Sequence, residues 1–430
     1  MKKITLLSLM LLLTISFAKE EVPDTILVGL SYGTNAVSSF TVSADSGVKI
    51  DGTTYKGNVT IEKSGTNKLS VSNSSKEKTV SVGGSGVKVT LVDDDEFISY
   101  NGKEYRGYLK IYRLSGSDIT VVNVVDFEEY LYGVVPREMS GSNPLEALKA
   151  QAVAARSYAY KSLGKYGKWN FDVTNTTSDQ AYGGVASEHP NATKAVDKTA
   201  GEFVTYDGKI VSTPFFSTSS GHTESSENVW SSKVPYLVGV EDKYQSEDSE
   251  YLHWTVEYSK EDIEEILDKK GVDIGELERV IINERTENGA VLELEFVGED
   301  DSYIVSKEKA RTTLSLKSQF YDISTGSSMY TITEDGKVQA CTENKLKAMS
   351  STSKKVKSIS SSTKNLYLQG GEGKTKFDRT ASSSDYTITG SGWGHSVGMS
   401  QRGAIGMADE GFDYEEILEW YYSGVEINSF

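Results

Sequence analysis

Glu138 lies in "VVPREMSGSNPLEALKAQAVAARSYAY", residues 134–160, where Pro136 to Met139 separate two helix-like segments. Val134, Val135, Pro136 and Met139 give its carboxyl group apolar neighbours. Desolvation favours the protonated carboxyl, which suits a general acid. Most glutamates are solvated, and the competing reading is a surface carboxylate interacting with a nearby helix dipole. A second stretch, "TSSGHTES" (218–225), offers Ser219, Ser220, His222, Thr223 and Glu224 on a turn; with no G-x-S-x-G it makes a poor serine hydrolase. "GWGHSVGMSQRG" (392–403) carries four glycines and His395 in twelve residues. Its small and uncharged polar groups suit a sugar site, and Trp393 either stacks on a pyranose ring or fills a core. "DVTNTTSDQAYGG" (172–184) adds Asp172, Asp179, Gln180 and Tyr182 in another polar loop.

The elements that must position these groups have readable boundaries. Asp126 can cap "FEEYLYGVV" with Glu129 at the third helical position, and Pro136 ends that helix. Asn143 caps the next helix, which begins at Pro144, and Glu146 completes a capping box. Leu145, Leu148, Ala152, Ala155 and Ala159 share one face, small enough to approach a neighbour closely. Glu138 is thereby expected on a short connection fixed at both ends.

Upstream, strand-like alternation runs from Thr25 to Val125 and contains a repeat. "VSADSGVKIDGTTYKGNVTI" (42–61) aligns without gaps with "VDDDEFISYNGKEYRGYLKI" (92–111), and the register continues to Val71/Val121 and Asn73/Asn123. Asp51-Gly52 and Asn101-Gly102 are hairpin-turn pairs that accept positive φ. Two similar units, about 42–73 and 92–123, are expected within a β-rich region spanning 24–120. Downstream, 201–258 reads as strands, 259–282 as an acidic helix and linker, and 283–325 as strands around a basic turn. The Ser/Thr/Lys-rich stretch at about 330–385 reads as an exposed insertion of hairpin or loop. Asp413 and Glu416 cap a last helix with Tyr414, Ile417, Leu418 and Tyr421 inward. The expected fold is α+β, with the β-rich region leading into a mixed domain over 121–430.

Composition narrows the functional classes. Residues 1–18 have the basic start, apolar run and small-residue end of a secretory leader, too short to span a bilayer. No later segment is apolar enough to cross a membrane. One cysteine, Cys341, excludes an internal disulfide. Four histidines without paired ligand spacing argue against a structural metal. A net charge of −17 disfavours nucleic acid.

Taken together, "EEYLYGVVPREM", "PLEALKAQAVAARSYAY", "DVTNTTSDQAYGG", "FFSTSSGHTESSENVW" and "GWGHSVGMSQRGA" resemble the stage II sporulation protein D family, in the family's order and over about 100–430. The resemblance implies a secreted peptidoglycan lytic transglycosylase with a glycan cleft, cutting the MurNAc–GlcNAc bond and leaving 1,6-anhydro ends. It carries the catalytic acid onto Glu138 and a glycan-binding role onto Gln151, Arg156, Tyr182, Ser217, Ser219, His222, Glu224 and His395. No cofactor is implied. Where some relatives hold zinc, this chain has "TNTTSD", with Thr174, Ser178 and Asp179 in place of softer ligands, so no metal is expected. Ser396 stands where a glycine usually follows the motif histidine. Peptidoglycan strands are the implied partner. The alternative, from the family's amidase-enhancer branch, is a non-catalytic enhancer whose partner is a cell-wall amidase. A third reading, a muramidase, would use Asp179 or Glu224 as a second carboxylate.

Overall fold

The computed structural model describes residues 20–245, 252–325 and 386–430, and between 329 and 377 the backbone of three two-stranded hairpins. The expected leader at 1–18 lies outside the described residues, as do the side chains of 325–385. The hairpins join Met329–Ile332 to Val338–Cys341, Lys347–Met349 to Val356–Ser358, and Leu366–Gly370 to Gly373–Phe377, one of the two forms expected of the insertion. The fold is mixed α+β, and it divides into two compact units: Met1–Thr213 with Gly424–Phe430, and Pro214–Ser423. The division expected near residue 120 falls inside the first unit, because strands on both sides of it share one sheet.

In the first unit the chain forms strands β1 (Thr25–Ser31), β2 (Ser39–Ser43), β3 (Val48–Ile50), β4 (Thr53–Tyr55), β5 (Val59–Lys63), β6 (Lys68–Ser72) and β7 (Glu77–Ser81). Then come β8 (Val87–Leu91), β9 (Ile98–Tyr100), β10 (Lys103–Tyr105), β11 (Tyr108–Tyr112), β12 (Thr120–Asp126) and, further on, β13 (Val173–Thr174). One sheet has the order β13-β1-β12-β11-β8-β3-β4 and the other β10-β9-β2-β5-β6-β7. The repeat explains this order. Strands β8, β11 and β12 of the second repeat pair in one sheet, and β2, β5 and β6 of the first repeat pair in the other. Each repeat then gives its short hairpin to the opposite sheet: β3-β4 joins β8, and β9-β10 joins β2.

Local chemistry is duplicated along with topology. Asp51-Gly52 and Asn101-Gly102 all have positive φ, as hairpin turns of this kind require. Tyr55 and Tyr105 are both buried. Asn73 donates to the Lys56 carbonyl at 3.0 Å and Asn123 to the Arg106 carbonyl at 2.9 Å, the same bond fifty residues on. Alternate residues point inward along β2, β6 and β8, as expected of strands with one covered face. Strand β12 departs from this: Thr120 to Val125 are buried without a break, so both of its faces are covered. The matched glycines Gly57 and Gly107 both sit near φ +72°, but a Cβ on Gly57 meets nothing whereas one on Gly107 would lie 2.1 Å from the Val124 carbonyl oxygen. Gly57→Ala should therefore cost about 1–2 kcal/mol for the left-handed backbone alone. Gly107→Ala should cost clearly more, and equal urea midpoints for the two variants would contradict the close approach.

Helices α1 (Phe127–Glu138), α2 (Leu145–Lys161) and α3 (Pro190–Lys198) complete the unit, with a small sheet of Glu202–Tyr206, Lys209–Ile210 and Glu426–Ser429. Asp126 caps α1 as expected, accepting from Glu128 and Glu129 N–H. Two expectations are corrected. Helix α1 continues through Pro136, because a proline in the last turn removes only one bond near an end that is already fraying. The N-cap of α2 is Pro144 and makes no side-chain bond; Asn143 instead donates to the Ser140 carbonyl, and Glu146 pairs with Lys149. Apart from Lys149 and Tyr158, α2 is buried all round from Ala147 to Ala159, which is why its composition is so dominated by alanine.

In the second unit a hydrophobic cluster is built around Trp254, Leu294, Phe296, Tyr321 and Ile388, drawn from two three-stranded sheets and the helix Lys260–Asp268. The basic turn expected before residue 325 contains a short helix, Glu308–Thr312. Phe215–Phe216 and Met399–Ser400 form a two-residue parallel ladder, after which helix Gln401–Asp409 begins. Asp413 and Glu416 form the expected capping box on Tyr414–Tyr421, which buries Ile417, Leu418 and Tyr421; Tyr414 is only partly covered.

Candidate active site

Glu138 is the last residue of α1, half-buried, and not on the loop that follows it. Its Oε1 accepts the Ala181 N–H at 2.8 Å. Met139 next to it is buried, and its N–H bonds back to Val135 O at 2.8 Å.

The segment 180–183 lies as a splint along α1. Tyr130 donates to Gln180 Oε1, Gln180 Nε2 donates to Ala155 O on α2, and Gly183 N–H bonds Gly133 O at 3.1 Å. Tyr182 is buried between Tyr105 and Tyr130, and its hydroxyl donates to Asn123 Oδ1 at 2.9 Å. A Cβ on Gly133 would strike the Tyr182 ring at 2.7 Å, so this mid-helix glycine is what permits the contact. Neither the Ala181 N–H nor Gly133 is named by sequence reasoning. A helix-weakening glycine in the middle of α1 was the available signal.

Three residues of the first unit given a glycan-binding role, Arg156, Gln151 and Tyr182, are buried. Arg156 is fully buried; Nε and one terminal nitrogen grip Glu128 at 2.8 and 2.6 Å, and the other terminal nitrogen donates to Glu202 O at 3.1 Å. This clamp ties α1 to α2 and to the strand after α3, and it engages the guanidinium to which the resemblance gave a glycan-binding role. Gln151 is also fully buried on α2, and the hydroxyl of buried Tyr182 is spent on Asn123. Asp179 is held too: Lys165 and the Thr174 N–H bond its two oxygens. Among the described residues no group of three or more His, Cys, Asp or Glu forms a metal-ligand array.

Ser217, Ser219, His222, Glu224 and His395 belong to the second unit, and there the two polar loops are joined. Thr218 and Trp393 exchange backbone bonds at 3.1 and 2.7 Å, and Glu224 N–H donates to Ser396 O at 2.6 Å. Half-buried Ser217 accepts the Arg402 N–H on its carbonyl, and buried Ser219 accepts the Gly221 N–H on its hydroxyl. His222 is half-buried and bridges to Glu241. Glu224 is buried and accepts from Thr286 at 2.7 Å and Asn228 at 2.8 Å; burial pushes its carboxyl upward in spite of these donors. Ser396 has φ 65°, the left-handed region in which glycine is at ease, which is the physical reason a glycine suits that position.

His395 accepts the Val397 N–H on Nδ1 at 3.1 Å, bonds the Phe215 backbone and lies between the rings of Phe216 and Trp230. Burial, followed by the Arg311 charge, lowers its pKa to about 4 from 6.5. The ring is therefore neutral in the folded chain. As pH falls from 6.5 toward 4 the unfolded chain takes up this proton first, so this group's contribution reduces stability across that window. The His395 ring resonances should titrate near pH 4; a midpoint near 6.5 would contradict the enclosure.

Comparison with known proteins gives matches across both units. A family described as stage II sporulation protein matches residues 115–206, which include Glu138, and a domain of unknown function matches 223–347. An uncharacterised protein of Brachyspira hyodysenteriae is 33% identical over 338 residues, 78% of this chain and 76% of that protein. A Bacillus subtilis protein named amidase enhancer is 32% identical over 319 residues, 70% of this chain and 40% of that protein. The stage II sporulation protein D of Bacillus amyloliquefaciens is 29% identical over 342 residues, 76% of this chain and 80% of that protein.

Proposed function

Because this chain belongs to the stage II sporulation protein D family, we propose that it is a peptidoglycan lytic transglycosylase whose single acid and base is Glu138. The reaction needs one proton moved twice. Glu138 donates it to the glycosidic oxygen as the bond from the anomeric carbon to that oxygen breaks. The carboxylate then takes the proton of the same sugar's 6-hydroxyl, whose oxygen closes on the anomeric carbon to form the 1,6-anhydro ring. No water enters and no second carboxylate is required, unlike glycoside hydrolysis.

The observation that carries this reading is the anchoring of Glu138: the Ala181 N–H holds one carboxyl oxygen, at a helix end splinted by residues 180–183. A second point supports it. Asp179 and Glu224, the two carboxylates that a muramidase could have used, are both committed to bonds elsewhere. The substrate is the glycan strand of peptidoglycan, and the work is done outside the membrane. An export leader at 1–18 fits that location, and among the described residues no helix is long and apolar enough to span a bilayer.

A second reading is favoured by the 32% identity to the amidase enhancer: the chain would assist a cell-wall amidase and cut nothing itself. Purified sacculi incubated with this chain alone separate the two. Release of anhydro-ended muropeptides with no amidase present is the expected result. Release only when an amidase is added would favour the enhancer.

A further inference from the structure

The basic turn "KEKARTTLSLK" (307–317) holds four cations against one carboxylate in a chain of net charge −17, and it lies within the residues matched by a domain of unknown function. Three of the four cations reach the loop that carries His395 or the ring beside it. Lys307 Nζ donates to Trp230 O at 3.0 Å, and the Trp230 and His395 rings lie 5.3 Å apart. The Lys317 carbonyl accepts the Gly394 N–H at 2.8 Å, and the Lys317 ammonium sits 4.0 Å from the centroid of the Trp393 ring. The Arg311 charge acts on His395 itself. Among the described residues only Arg311 of these three has an acid partner, Glu308 at 2.9 Å. Lys307, Arg311 and Lys317 are half-buried, covered enough to weaken screening by salt and open enough to meet a ligand. Lys307 stands at φ 57° and ψ −135°, a conformation otherwise kept for glycine, so its side chain is retained at a cost in backbone strain.

Mutual repulsion disperses like charges unless an opposite charge offsets them, and Glu308 offsets only one of the three. The complementary chemistry is an anion, and the ligand class of the glycan reading carries carboxylates. We propose that Lys307 and Lys317, in the field of Arg311, form a cationic subsite for carboxylates borne by the glycan strand, either the 3-O-lactyl group of its muramic sugars or the stem peptides attached there. The inference rests on the glycan reading above and narrows the substrate to a strand with acidic substituents. Lys307 and Lys317 bind; no bond cleavage passes through them.

The test uses the full chain carrying Glu138→Gln, so that binding is read without turnover, and titrates it calorimetrically with three ligands. These are an uncharged hexamer of N-acetylglucosamine, an alternating GlcNAc–MurNAc hexasaccharide with free lactyl carboxylates, and the same hexasaccharide bearing stem peptides. An acidic ligand should bind about tenfold more tightly than the neutral one. Preference for the free lactyl form assigns the lactyl carboxylate, and preference for the peptide-bearing form assigns the stem peptide. Lys307→Met and Lys317→Met should each remove about fivefold of the preference, and added salt should shrink it. Lys317→Arg should keep it, which separates the charge from a structural role. Equal affinity for all three ligands, a preference that survives both methionine substitutions together, or no binding by the parent chain would overturn the subsite. If the lysines control binding while the wild-type chain makes no anhydro product, the subsite stands and the transglycosylase reading falls. If anhydro product forms while the lysines leave binding unchanged, the subsite falls and the transglycosylase reading stands.

Discussion

Replacing Glu138 by glutamine is expected to lower glycan cleavage by about 10²- to 10⁴-fold with the fold intact, the range over which a positioned proton donor contributes. Glutamine keeps the side-chain length and a carbonyl oxygen that can still accept the Ala181 N–H, so only the transferable proton is lost. The unfolding free energy should change by no more than a surface substitution would cause, about 0.5 kcal/mol. Alanine is a less clean test, because it leaves the Ala181 N–H without its acceptor, at a cost of about 1–3 kcal/mol where that amide is shielded. Glu138→Asp keeps the acid but draws it back by one methylene, and a displacement of about 1 Å should cost about 10²-fold. Turnover in Glu138→Gln close to that of the parent would remove Glu138 from the chemistry.

Arg156→Met should destabilise the first unit by about 3–5 kcal/mol. The guanidinium is fully buried, and its removal takes two donors from the Glu128 carboxylate, which keeps the Gly201 N–H, and one from the Glu202 carbonyl. Arg156→Lys should recover little, since an ammonium cannot reproduce the two-pronged grip. Glu128 lies in the first turn of α1 and Glu138 ends the helix, so loosening the clamp should also lower cleavage. Amide exchange along α1 and α2 in the full chain reads the loss of stability at the clamp. Protection equal to wild type in Arg156→Met would show that Arg156 is dispensable to the fold.

The contrast between Glu138 and Arg156 shows how far the sequence could be read. The duplicated hairpins were legible because turn chemistry and register are local: Asp51-Gly52, Asn101-Gly102 and the matched asparagines each determine their own few residues. Their exchange between sheets was not, since strand partners are chosen by distant residues. Asp126 and Asp413 announced their helices because an N-cap acts on the next three amides. Pro136 misled, because its cost depends on how close the helix already is to its end. Arg156 looked like a ligand because nothing in its neighbourhood along the chain says that Glu128 and Glu202 converge on it. The same holds for Tyr182, whose partner Asn123 lies fifty-nine residues earlier. Trp393, open between core and surface in the sequence, is 38% exposed.

The central claim is that the 6-hydroxyl of the cleaved sugar, and not water, attacks the anomeric carbon after Glu138 has given up its proton. Digestion of purified glycan in water enriched in oxygen-18 tests this directly by the mass of the new ends. The expected result is anhydro ends that carry no heavy oxygen. Reducing ends labelled with oxygen-18 at the anomeric position would contradict it and make the chain a hydrolase.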